Sequence, residues 1–161
     1  WSQTVTKSFQ DEQKFHFYTA NTGEDFGDYL SDRIVLNPPL LYPEMIQAMS
    51  RHNAGIVGSP FPVGEFDDAM PNKLFEYTAA GIPCIVVNAK EAVSFVEENG
   101  LGVGIQDPSE VKGSLERLKD YKISRDRWGF TMESQIPKLL NLYREVTCRT
   151  RAIPQVGPHL G

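Results

Sequence analysis

The sequence alternates short β-branched runs with stretches of helical periodicity, and this alternation constrains the fold more than any other feature. The strongest run covers residues 82–87 and is apolar throughout, as is typical of a strand that helices cover on both sides. Alternating strands and helices are typical of βαβ units, in which the strands lie parallel. The sequence therefore predicts an α/β fold with a parallel sheet and helices on both faces.

Proline, glycine and turn residues set the boundaries of the predicted elements. Strands are predicted near residues 15–19, 33–36, 54–58, 82–87 and 102–106, and helices over 43–50, 71–80, 89–98, 108–118 and 125–147, with the end of another within 1–14. Pro71 suits the first turn of a helix, and Gly81 suits its left-handed end. We expect one domain over residues 1–148. Residues 149–161 contain proline and glycine without periodicity, so we expect a flexible tail.

Length and charge exclude several classes of protein. A chain of 161 residues is long enough for one domain with a core and too short for two. Its net charge of −5, from 16 basic and 21 acidic side chains, argues against a nucleic-acid partner, since such binding depends on clustered Lys and Arg. The sequence has no run of about 18 apolar residues, the length that spans a membrane. Because it starts at Trp1 without a signal-peptide pattern, we expect a segment of a larger protein.

Cysteine and histidine point to no metal or disulfide. Cys84 lies in the apolar run and is expected to be buried and reduced, which suits a reducing compartment. The three histidines are isolated in sequence, so no zinc site is expected. Glu65 and Asp67 have the spacing of an acidic metal motif, but they follow no clear strand, and no metal is predicted there.

The chemistry-bearing residues are expected at one edge of the sheet. Ligands of open parallel sheets bind beyond the carboxyl ends of the strands, which here points to residues 37–41, 59–71 and 88–91. A helix predicted to start at Pro71 presents free N–H groups, and Lys73 in its first turn adds a positive charge that suits a phosphate. Glu76 can accept hydrogen bonds from vicinal hydroxyls, and Asp68 precedes it by eight residues. On charges alone, solvated side chains on an ordinary helix are the simpler interpretation.

The wider context of these residues resembles a known family. A carboxylate at Asp68, a second at Glu76, and then Ala-Ala-Gly-x-Pro before an apolar strand resemble the donor-domain signature of glycosyltransferases built from two Rossmann-like domains (the GT-B fold). The pattern is most similar to family 4, also called group 1, whose motif is Glu-x7-Glu. Asp68 departs from that motif by one methylene. The resemblance extends over residues 42–60, 91–107 and 128–146, so the fold it implies is a Rossmann-like parallel sheet, one half of a GT-B enzyme.

The resemblance implies a substrate and a set of binding residues. The donor is a nucleoside-diphosphate-sugar, a UDP- or GDP-sugar, with no separate cofactor. Glu76 is implied to hold the ribose, Asp68 the donor sugar, and Lys73 the diphosphate. The remaining implied donor-binding residues are Met70, Pro71 and Asn72 beside the diphosphate, Leu40 and Tyr42 flanking the base, and Ser59 at the start of the loop.

The resemblance also implies partners that the chain itself does not contain. The acceptor is a glycan or a lipid-linked molecule, held by an acceptor domain N-terminal to this one. No catalytic base is assigned, because the residues that contact the acceptor are expected on that domain. The implied location is the cytoplasm, either free or peripheral to the inner face of the membrane. Two alternatives stay open, namely an epimerase-like enzyme acting on nucleotide-sugars and a non-catalytic interaction domain that keeps the fold.

Overall fold

The computed structural model describes residues 2–7, 9, 12–21, 31–62, 64–121, 123 and 132–151. Within these residues the chain forms five strands and six α-helices. In chain order they are α1 (Ser2–Lys7), β1 (Phe15–Tyr18), β2 (Ile34–Asn37), α2 (Tyr42–Met49), β3 (Gly55–Gly58), α3 (Asn72–Ala80), β4 (Cys84–Val87), α4 (Lys90–Glu98), β5 (Gly102–Ile105), α5 (Val111–Leu118) and α6 (Met132–Arg151). Two short 3-10 helices, Gly64–Phe66 and Pro108–Glu110, precede α3 and α5.

Every strand pairing in the described part of the chain is parallel. β1 pairs with β2, and β4 lies between β3 and β5. Helices flank the sheets, so the predicted α/β, Rossmann-like fold is confirmed. The prediction of one continuous sheet is wrong for these residues, because the strands form a two-stranded and a three-stranded sheet with no ladder between β1 and β3.

The core lies around β4, whose four residues are all buried. Successive side chains of a strand point to opposite faces. Ile85 and Val87 join a cluster whose other members come from α1, β5, α5 and the segment after α1, namely Val5, Phe9, Ile105, Val111 and Leu118. On the opposite face the thiol of Cys84 donates to the carbonyl oxygen of Leu74 in α3 at 3.7 Å. Helices therefore cover β4 on both faces, as its uninterrupted apolar sequence predicts.

Helix ends follow the sequence signals closely. Pro71 lies just before α3, and Gly81 ends that helix with a φ of 75°, so the predicted left-handed end is confirmed. The long C-terminal helix differs at its far end, since α6 runs to Arg151 and includes the first residues of the segment assigned to a tail. Residues 125–131 of the predicted helix and 152–161 of the predicted tail lie outside the described residues.

The chain divides into two compact units, Trp1–Arg125 and Asp126–Gly161. The first contains both sheets and the helices α1 to α5, and the second contains α6. None of the described helices combines the length and the apolar composition that crossing a bilayer requires. All of the candidate binding residues belong to the first unit.

Cys84 provides a direct test of the β4 environment. The side chain is fully buried, and burial raises the pKa of its thiol to about 12. Thiolate is the reactive form. In a Cys148→Ser variant, which leaves Cys84 as the single cysteine, we expect a thiol reagent at pH 8 to label the native protein roughly a hundredfold more slowly than the protein unfolded in guanidinium. Equal labelling rates in the two states would contradict the buried position of Cys84.

Candidate functional site

The candidate site lies at the carboxyl edge of the three-stranded sheet. The ends of β3, β4 and β5 are level, since Gly58 pairs with Val87 and Val87 with Ile105. The chain leaves β3 into the loop that leads to α3, and it leaves β4 into α4. Helices that follow parallel strands begin at this edge, with their free N–H groups directed toward it.

An ion pair occupies the first turn of α3. The ammonium Nζ of Lys73 lies 2.5 Å from Oε2 of Glu76, one turn further along the helix. The same nitrogen lies 3.6 Å from Sδ of Met45 in α2. The Lys73 side chain is 48% exposed, whereas that of Glu76 is 17% exposed. The pair therefore lies where α3 contacts α2, with the cation accessible to solvent and the carboxylate partly covered.

The N-terminus of α3 has no side-chain cap. Pro71 occupies the N-cap position in an extended conformation, and its carbonyl oxygen accepts from the N–H of Leu74 at 3.0 Å. The N–H groups of Asn72 and Lys73 have no acceptor among the described residues. Uncapped N–H groups and the helix dipole both favour an anion here. The helix dipole disfavours the positive charge of Lys73 at this end of the helix. The ion pair with the Glu76 carboxylate offsets this unfavourable interaction.

The loop that leaves β3 is anchored to the end of β4. Ser59 is buried, and its N–H donates to the carbonyl oxygen of Val87 at 2.9 Å. The amide Nδ2 of Asn88 donates to the carbonyl oxygen of Ser59 at 3.0 Å. Asn88 itself has a φ of 50°, a left-handed conformation that asparagine tolerates better than most residues. These contacts hold the start of the loop rigidly against the sheet.

The predicted residue Asp68 is not part of the Lys73–Glu76 pair. It lies exposed in the turn after the 3-10 helix, and no hydrogen bond or ion pair joins it to another described residue. Its neighbour Asp67 accepts a hydrogen bond from the N–H of Glu91 at 2.9 Å, which ties the turn to the first turn of α4. Met70, which follows this turn, and Asn72, the first residue of α3, are exposed, and Pro71 between them is half-buried.

Large apolar side chains are exposed in the segments that lead into α2 and α3. Leu41 is 74% exposed, Tyr42 is 60% exposed and Phe61 is 70% exposed, whereas Leu40 is half-buried. Contiguous exposed apolar side chains mark ligand or partner surfaces, whereas single ones are ordinary. Tyr42 and Leu40 were predicted at this position.

Phe61 and Asn88 lie within the ranges 59–71 and 88–91 that the sequence indicated, but neither was named as a binding residue, and Met45 was missed altogether. Phe61 directly follows the Ser59–Pro60 end of a strand, and an aromatic residue in such a loop is the signal that could have identified it. Asn88 follows the strongest apolar run, which is a recognisable turn signal. Met45 was assigned to the apolar face of its helix, and nothing in the sequence indicates its contact with Lys73.

Tyr77 of α3 is a half-buried titratable group with a structural contact to β3. Burial raises the pKa of Tyr77 to about 12, and the nearby carboxylate of Glu76 adds to the effect, so its hydroxyl stays protonated. That hydroxyl donates to the carbonyl oxygen of Ile56 at 3.3 Å. Across the described residues, no group of three or more His, Cys, Asp or Glu side chains is placed to hold a metal ion.

No family model matches the chain, and no curated protein matches it either. The chain has a Rossmann-like α/β fold. Its carboxyl edge presents an uncapped helix N-terminus and a lysine–glutamate pair, and exposed apolar side chains lie in nearby segments of the sequence.

Proposed function

We propose that the chain is the donor-binding domain of a glycosyltransferase that transfers a sugar from a UDP- or GDP-sugar to a glycan or lipid-linked acceptor. The observation that carries the proposal is the Lys73–Glu76 pair on the uncapped first turn of α3. It combines an anion-binding helix terminus, an exposed cation and a carboxylate within one turn. A nucleoside diphosphate needs the same three features, because it presents phosphates and a ribose with vicinal hydroxyls side by side.

The diphosphate is bound by the start of α3. The N–H groups of Asn72 and Lys73 donate to phosphate oxygens, and the ammonium of Lys73 contributes a full positive charge. Lys73 is paired with Glu76 before the donor arrives, so its side chain is already held at the helix start. During transfer, negative charge grows on the departing diphosphate. The same groups stabilise that charge without reorganising, which lowers the barrier.

The rest of the donor is recognised on either side of the diphosphate. Glu76 accepts hydrogen bonds from the ribose hydroxyls, and its partial burial strengthens them. Tyr42 and Leu41 give an apolar surface for the base, with Leu40 behind them. Asp68, exposed and unpaired among the described residues, addresses the hydroxyls of the donor sugar. Met70 and Pro71 form the backbone beside the phosphates.

The acceptor side of the reaction belongs to a second domain in this proposal. No residue of this chain is assigned as the catalytic base, and the acceptor domain of the resembled enzymes precedes the donor domain. The proposed location is the cytoplasm, free or peripheral to the inner face of the membrane, where nucleotide-sugars meet lipid-linked acceptors.

Calorimetric titration of the chain with UDP and with GDP tests the proposal. We expect saturable 1:1 binding of at least one of them, with weaker binding of the matching nucleoside. Absence of heat with both nucleotides would contradict the proposal and favour a non-catalytic interaction domain. If a bound UDP-sugar is converted to its epimer without an acceptor, an epimerase-like enzyme replaces the transferase.

A further inference from the structure

The residue that follows β4 contacts both neighbouring strands of the three-stranded sheet. Asn88 is half-buried at this position. Its backbone N–H donates to the carbonyl oxygen of Ile105, the last residue of β5, at 3.2 Å. Its side-chain Nδ2 donates to the carbonyl oxygen of Ser59, the residue that follows β3, at 3.0 Å. Asn88 therefore connects the ends of all three strands at the carboxyl edge.

The left-handed turn at Asn88 does not by itself require an asparagine. Among the described residues Asn88 is the one non-glycine residue with a positive φ, which is 50°. Glycine adopts this conformation without the steric cost of a Cβ, so a glycine would serve the turn at least as well. What asparagine adds is the side-chain amide that reaches Ser59.

Ser59 passes this restraint on to the loop that leads to α3. It is buried, and its N–H donates to the carbonyl oxygen of Val87 at 2.9 Å. Its Oγ accepts from the N–H of Phe61 at 3.3 Å. With the contact from Asn88, the N–H, the carbonyl and the hydroxyl oxygen of Ser59 each have a partner. The first residues of the loop are therefore fixed to the end of β4.

The segment after β4 also holds the far part of this loop. The N–H of Glu91, in the first turn of α4, donates to the carbonyl oxygen of Asp67 at 2.9 Å. An N–H group in the first turn of a helix has no partner within the helix, and here the loop supplies one. Asp68 follows directly, and Met70 and Pro71 lead into α3. Residues 87–91 thus hold the loop at Ser59 and at Asp67.

We infer that Asn88 is a positioning residue of the donor site, which holds Ser59 and thereby sets the loop over residues 59–71 against the sheet. The inference rests on the proposed function, in which Asp68 addresses the donor sugar and Met70 and Pro71 border the diphosphate. Asn88 acts through Ser59 and contacts no part of the donor. Groups that are held in place before a ligand arrives lose less conformational freedom on binding, so a loosened loop lowers the affinity.

Replacing Asn88 by glycine removes the amide and keeps the left-handed backbone free of strain. The matched control is Asn99→Gly. Asn99 lies at the C-cap of α4 and is also half-buried, and its Nδ2 donates to the carbonyl oxygen of Phe95 at 2.8 Å. Each variant therefore loses an amide-to-carbonyl hydrogen bond, and only Asn88 is joined to the loop that leads to α3.

Hydrogen exchange of the ligand-free proteins tests the positioning itself. Without the amide of Asn88, Ser59 is held less firmly, so exchange of the Phe61 N–H is expected to be at least about tenfold faster in Asn88→Gly than in the wild type. The N–H of Cys84, which donates to Leu101 at the other end of the sheet, is expected to keep its exchange rate. An unchanged rate at Phe61 overturns the inference.

A double variant tests whether Asn88 acts through Ser59. Ser59→Ala removes the oxygen that accepts from Phe61, so we expect it to lower the nucleotide affinity as well. Because both substitutions loosen the same part of the loop, the combined loss in Asn88→Gly with Ser59→Ala is expected to be smaller than the product of the two single losses. Independent losses that multiply in full would contradict an action through Ser59.

Calorimetric titration with UDP and with GDP tests the effect on the donor site. For the nucleotide that the wild type binds, we expect a loss of at least about fivefold in Asn88→Gly and wild-type affinity in Asn99→Gly. Wild-type affinity of Asn88→Gly overturns the inference and leaves the proposed function in place. An equal loss in both variants also overturns it, since a general loss of packing then suffices. A wild type that binds neither nucleotide overturns the proposed function and the inference together.

Discussion

Replacing Gly58 by alanine is expected to lower the free energy of unfolding by about 3 kcal/mol or more. Gly58 has a φ of 115°, a conformation that side chains with a Cβ rarely adopt. The added Cβ would also lie 2.0 Å from the carbonyl oxygen of Val87 in the neighbouring strand. Backbone atoms of a central strand cannot move aside cheaply, so conformational strain and steric overlap both act against the folded state.

Gly113→Ala is the matched control for this prediction. Gly113 lies within α5, and nothing lies within 4 Å of the position that its Cβ would occupy. Alanine stabilises a helix interior more than glycine does. We therefore expect the free energy of unfolding of this variant to be higher by about 0.5–1 kcal/mol. Urea denaturation of both variants provides the measurement. A Gly58→Ala protein within about 0.5 kcal/mol of the wild type would show that the end of β3 is not packed against Val87 as described.

Replacing Glu76 by glutamine is expected to reduce the affinity for the preferred nucleoside diphosphate at least about tenfold. The substitution keeps the size of the side chain and removes the charge that strengthens the hydrogen bonds we propose to ribose hydroxyls. It also removes the partner of Lys73, whose ammonium lies 2.5 Å from the carboxylate. Lys73 then loses its fixed position at the start of α3, so the proposed contact with the phosphates is expected to weaken as well.

Glu98→Gln controls for the change in net charge. Glu98 is exposed at the end of α4. Its replacement by glutamine removes one negative charge, as the replacement of Glu76 does. Calorimetric titration of both variants is expected to show wild-type affinity for Glu98→Gln and a clear loss for Glu76→Gln, with both proteins unfolding at similar urea concentrations. Equal affinity of the two variants would remove Glu76 from the binding site.

The elements of the fold were predictable because their signals are local. The apolar run at 82–87 identifies a buried strand, and Pro71 and Gly81 mark the two ends of α3. Strand β4 starts at Cys84, two residues after its predicted start, and this difference also has a local reason. Pro83 has no N–H and contributes to the ladder only through its carbonyl oxygen. The division into two sheets was not predictable, because strand pairing depends on hydrogen bonds between residues far apart in sequence.

The candidate site was predictable only in part, for a related reason. The three-residue spacing of Lys73 and Glu76 places them on one helix face, where an ion pair is expected. The contact of Lys73 with Met45 depends on how α2 lies against α3, and that packing leaves no pattern in the sequence. The helix α6 continues to Arg151, yet the loss of apolar periodicity after residue 147 indicated a tail instead.

The central claim is that the first turn of α3 binds the diphosphate. Its most direct test measures the affinities of UDP and uridine, or of GDP and guanosine if GDP is preferred, for the wild type and for Lys73→Ala. Because the proposal places Lys73 on the phosphates and not on the nucleoside, calorimetric titration is expected to show at least about a tenfold loss for the nucleoside diphosphate and an unchanged affinity for the nucleoside. An equal loss for both ligands, or no loss for either, would contradict a diphosphate site at this helix.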